Sequence, residues 1–96
     1  MNDLVYTLAL LQNKAILQDY ADLLRTTAVR LQEYVETLPI TPEEFYKDAH
    51  SHVRRQKEIG EVMLRYMEKA MELSLEHARM VHTLQALERN VRIKED

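Results

Sequence analysis

From Phe45 the chain steps by four and three residues in alternation, through Ala49, His52, Gln56, Ile59, Met63, Tyr66, Ala70, Leu73, His77, Met80, Leu84, Leu87 and Val91. A helix turns once in 3.6 residues, so positions spaced this way line one side of a single long helix, whereas a strand would need a period of two. A stripe of that length has to be covered by another helix. The question becomes which helix supplies the cover.

The first half of the chain offers one. Leu10, Leu17, Leu24, Leu31 and Leu38 recur at intervals of seven, flanked by Ala21, Ala28 and Val35 on one side and by Tyr6, Tyr20 and Tyr34 on the other. These residues predict a helix over about 3–38 with the leucines inside, opened by Asn2 or Asp3 as a cap for a first-turn amide. Composition agrees: one Gly and two Pro in 96 residues leave little to interrupt helices. Pro39 ends the first helix by pushing Leu38 out of helical geometry and by lacking an amide hydrogen.

The restart carries several signals at once. Thr41 is an N-cap, Pro42 occupies the first helical position, and Glu44 completes a Thr-x-x-Glu capping box. Ile40 and Phe45 have the spacing of a hydrophobic staple. A turn at 39–41 followed by one helix over about 42–92 therefore predicts an all-α antiparallel helical hairpin, coiled-coil-like and forming a single domain over 1–96. Gly60 is the only interior breaker after Pro42; with no turn residues beside it, it reads as a close-approach or gentle-bend position.

The hairpin expected from these signals has apolar surface to spare. Pairing outward from the turn sets residue 4 opposite residue 76, so everything after Met80 overhangs while Leu84, Leu87 and Val91 keep the stripe in phase. Leu64, Met71, Leu75 and Ala78 are apolar on the far side of the second helix, and Leu4, Leu8 and Leu11 make the first helix apolar nearly all round at the same level. Helices apolar on every face are buried on every face. These ten residues, Leu4, Leu8, Leu11, Leu64, Met71, Leu75, Ala78, Leu84, Leu87 and Val91, are the expected interface of a homodimer in which two hairpins form a four-helix bundle. Met67 and Met71, adaptable side chains at the rim of the stripe, are candidates for binding a different helical partner.

Chemical motifs do not compete with this reading. His50 and His52 are two residues apart and His77 and His82 five apart, poor spacings for joint metal ligation on a helix, and the Glu-x-x-His pattern of bundle metal sites is missing. No metal and no cofactor are expected. His52 and His77 fall in the stripe, where protonation would loosen a bundle layer as the pH drops through the imidazole range. No Ser/His/Asp set, Gly-rich loop or carboxylate pair around a pocket can be assembled, so no enzyme is expected.

Lys47, Arg54, Arg55 and Lys57 form a modest basic cluster, the basis for an alternative reading as a nucleic-acid-associated regulator. Glu43, Glu44 and Asp48 dilute it, Glu58 and Glu61 stand four residues after Arg54 and Lys57, and the formal net charge is -3. Such a balance disfavours a dedicated polyanion binder. The leucine heptads resemble a zipper, but no basic region precedes them, which excludes DNA reading of the bZIP kind. Ser51, His52, Val53, Arg54 and Arg55 resemble the phosphoacceptor region of histidine-kinase dimerisation hairpins over five residues. They depart from that family in having no acidic residue after His52, in the order of the helices and in an inward-facing histidine.

The chain has no Cys, and Leu4 to Leu11 is broken by Thr7 and followed by Gln12, Asn13 and Lys14, with no basic segment before it. No signal peptide, no membrane insertion and a cytoplasmic location are expected. The functional expectation is a non-catalytic protein–protein interaction module, such as a small scaffold, adaptor, assembly chaperone or regulator.

Overall fold

The computed structural model describes the backbone of residues 2–95 and the side chains of residues 3–90. It contains three helices, α1 (Asn2–Glu36), α2 (Pro42–Lys47) and α3 (Ala49–Glu95), and no strand among the described residues. α1 closes with a tightened turn, Thr37 N–H donating to the Tyr34 carbonyl at 3.0 Å and Leu38 N–H to that of Val35 at 3.2 Å. Such three-residue closures satisfy carbonyls that the helix itself leaves unpaired.

The cap at Thr41 forms as its sequence requires. Thr41 is extended, and its hydroxyl accepts the Glu44 amide at 3.2 Å. The Glu44 carboxylate reaches back, but to the Ile40 amide at 2.9 Å rather than to that of Thr41. The hydrophobic staple does not form: Ile40 is 90% exposed, its amide held while its side chain points into solvent. Thr41→Ala removes the acceptor of a first-turn amide and should lower stability by about 1 kcal/mol; a denaturation midpoint that does not move would contradict that role.

The second helix is not continuous from Pro42. Asp48 leaves helical geometry at φ -149°, ψ 53°, its amide donating to the Phe45 carbonyl and its own carbonyl accepting the His52 amide at 3.1 Å. Asp48 thus closes α2 and opens α3, a position that aspartate favours, and both of its backbone groups stay paired. Phe45 bridges the break, stacking on His52 with centroids 5.9 Å apart and 24° between planes. Gly60, by contrast, lies inside unbroken α3.

The chain divides into two compact units, Met1–Asp22 with Ala70–Asp96, and Leu23–Lys69. In the second unit Thr27 and Leu31 share a groove with Tyr66 and Met63, and Arg55 donates to the Thr37 carbonyl at 3.2 Å. In the first, Ile16 and Tyr20 share a groove with His77 and Leu73. Within either unit, rising numbers in α1 meet falling numbers in α3, so the helices are antiparallel.

The register differs from simple pairing across residues 39–41, which would set residue 43 beside Thr37. Arg55 stands there instead, about three helical turns later. α2 and Asp48 use up that length as connection. Within the unit Met1–Asp22 with Ala70–Asp96, the groove that sets Ile16 and Tyr20 beside His77 and Leu73 brings Leu84 and Leu87 level with Ala9 and Tyr6, and all four are partly or fully buried. The overhang expected beyond Met80 is therefore corrected: Leu84 and Leu87 have intrachain cover.

The interior of α3 follows its expected stripe at Phe45 (in α2), Ala49, His52, Ile59, Tyr66, Ala70, Leu73, His77, Met80, Leu84 and Leu87, all at least half-buried. Arg55 and Val62 replace the expected Gln56 and Met63, which are exposed. α1 departs further. Its covered positions are Tyr6, Ala9, Asn13, Ile16, Tyr20, Ala21, Leu23, Thr27, Leu31 and Tyr34, with Leu38 covered just beyond its end. Of the leucine heptad, Leu31 and Leu38 are half-buried, whereas Leu24, Leu17 and Leu10 are 42%, 48% and 55% exposed. A strict seven-residue repeat drifts by about 20° per heptad on a straight helix, which rotates the leucines progressively out of the interior.

Candidate interaction surface

The intrachain core is small. Among the described residues only Ala9, Val62 and Leu73 are buried, at 5%, 8% and 4% exposure. A pair of helices can cover only the stripe where they touch, and every residue beyond that stripe needs a third helix or stays wet.

On α3 the uncovered apolar residues form a second stripe. Gly60, Leu64, Met67, Met71, Leu75 and Ala78 lie within an arc of about 80° at about 100° per residue, and all six are exposed. Leu64, Met71 and Leu75 expose 57%, 66% and 55% of their surface. Every position of the stripe is uncharged in a chain that is 30% charged. On α1, Leu4, Leu8 and Leu11 are also exposed and point away from the covered positions of that helix. Leu84 and Leu87 are half-buried against their own chain, and the side chain of Val91 lies outside the described residues.

Sequence reasoning missed part of this surface. Leu10, Leu17 and Leu24, expected inside, are exposed, and Leu24 lines an apolar groove with Ala28, Leu31, Met63 and Met67, floored by Thr27 and Tyr66. Met67, a partner-binding candidate, therefore stands at the rim of a groove inside the unit Leu23–Lys69. The signal was present in the sequence as the exact seven-residue spacing, since a stripe that stays buried along a straight helix has to average closer to 3.6 residues than to 3.5.

The basic cluster is not brought into one free patch. Lys47, Arg54 and Lys57 are exposed, but Arg55 is half-buried and its guanidinium is engaged with the Thr37 carbonyl at the end of α1. Its charge serves the turn. Glu43, Glu44 and Asp48 are exposed in the same segment.

The histidines separate. His50 and His82 are exposed, whereas His52 and His77 are half-buried in the α3 stripe. The His52 ring sits against Phe45 with Nδ1 buried and without a hydrogen-bond partner, and Asn13 Oδ1 is in the same condition on the covered side of α1. No group of three or more His, Asp or Glu side chains that could hold a metal ion occurs among the described residues. No helix among the described residues is long and apolar enough to cross a membrane.

Comparison of the chain with protein-family models, curated proteins and solved structures gave no match. The functional reading therefore rests on the surface itself.

Proposed function

We propose that the chain is a non-catalytic protein–protein interaction module that works as a homodimer, two hairpins joining through exposed helical faces into a four-helix bundle. One observation carries this reading: a large, uncharged, helically spaced apolar face on α3 beside an intrachain core of three buried residues among those described. Apolar surface of that extent on a soluble chain marks a contact. Its roles as scaffold, adaptor, assembly chaperone or regulator all need the same property, a rigid helical surface presented to another helix. A cytoplasmic location is part of the proposal, since a chain without Cys needs no oxidising compartment for its fold.

The test is a fluorescence-anisotropy titration of a trace-labelled chain against unlabelled copies and, separately, against single- and double-stranded nucleic acid at about 0.15 M salt, where weak phosphate contacts are screened. Anisotropy should rise with added copies and stay flat with nucleic acid. A rise with nucleic acid that disappears in the Arg54→Glu, Arg55→Glu variant would replace this reading with the nucleic-acid one.

A further inference from the structure

The second apolar stripe of α3 is close to a palindrome. Read from either end it runs small, Leu, Met, Met, Leu, small: Gly60, Leu64, Met67, Met71, Leu75 and Ala78. Its centre falls next to Lys69. A stripe with that symmetry matches its own reverse, which is the condition for an isologous contact about a two-fold axis. We infer that α3 packs antiparallel against α3 of a second copy, with the two-fold axis passing near Lys69. This deepens the self-association proposed above and rests on it.

In that arrangement Gly60 faces Ala78 of the second copy, Met67 faces Met71, and Leu64 faces Leu75, so large side chains meet at the centre and small ones at the ends. Two further observations fit a second copy as the occupant. Gly60 has no intrachain reason to be glycine: a Cβ built there would meet nothing within 4 Å, and the helix neither ends nor breaks at that point. Mid-helix glycine is unfavourable for the isolated hairpin, so its space is of use to something outside the chain. The chain also exposes 7926 Å². A compact protein of 11.4 kDa exposes about 5,800 Å², and the surplus exceeds the roughly 800 Å² that each partner buries in a standard interface.

The absence of native Cys makes the geometry readable by cross-linking. Full-length Leu64→Cys chains and tagged Leu75→Cys chains, mixed at micromolar concentration and oxidised, should give the mixed disulfide at least fivefold over either like pair. Like residues would stand about 15 Å apart or more along antiparallel helices, beyond disulfide reach. In parallel, Gly60→Leu should weaken dimerisation at least tenfold while helicity holds or rises, because leucine is the better helix former. Preferential like-pair cross-links, a dimer that forms neither mixed nor like cross-links, or a Gly60→Leu dimer of unchanged affinity would each overturn the antiparallel seam while leaving self-association standing. A chain that is monomeric by mass before any substitution would overturn both.

Discussion

Replacing Leu75 by glutamate should convert the proposed dimer into a single hairpin while leaving the far-ultraviolet circular dichroism spectrum almost unchanged. Leu75 is 55% exposed within its own chain, so a glutamate there remains in water and costs the isolated hairpin little. Glutamate is also a good helix former. In the dimer the same side chain would be carried into an apolar contact, twice per particle by symmetry, where an unpaired carboxylate loses its hydration without gaining a partner. Dimerisation should weaken at least a hundredfold, about 2.8 kcal/mol. A particle of unchanged mass would show that Leu75 is not in the interface.

Leu73→Ala should act in the opposite sense, on the fold more than on the assembly. Leu73 is 4% exposed and lies at the groove it shares with Ile16 and Tyr20, one of three buried residues among those described. Truncating a buried leucine removes its transfer free energy and leaves a cavity, together about 3 kcal/mol. That is a large fraction of what a chain of this size commands in total. Urea denaturation in the Leu75→Glu background separates this loss from any effect on dimerisation. Met71→Ala, at a site 66% exposed, should leave hairpin stability within about 0.5 kcal/mol there. Equal losses for the two variants would contradict the assignment of inner and outer faces.

These two residues, two positions apart on one helix, illustrate what the chain's pattern makes legible. The α3 stripe can be read directly because its alternating spacing tracks the helix, and Leu73 and Leu75 fall on different faces by angle alone. Thr41, Pro42 and Glu44 announce the restart because capping is local chemistry. The break at Asp48 is another matter: the sequence favours helix on both sides, yet Phe45 packs on His52 across a gap that is opened by Asp48. That one residue then sets the register, which is why the cover over Leu84 and Leu87 could not be read in advance. The heptad leucines mislead for a geometric reason. Five leucines at intervals of seven look like one seam, but along the straight helix α1 they rotate away from the interior by about 60° between Leu31 and Leu10.

Sedimentation equilibrium of the unmodified chain at micromolar concentration tests the central claim most directly. Covering the outer face of α3 with a second copy predicts a mass of twice 11.4 kDa that falls toward 11.4 kDa on dilution. A fully helical particle of 11.4 kDa at every concentration would contradict it.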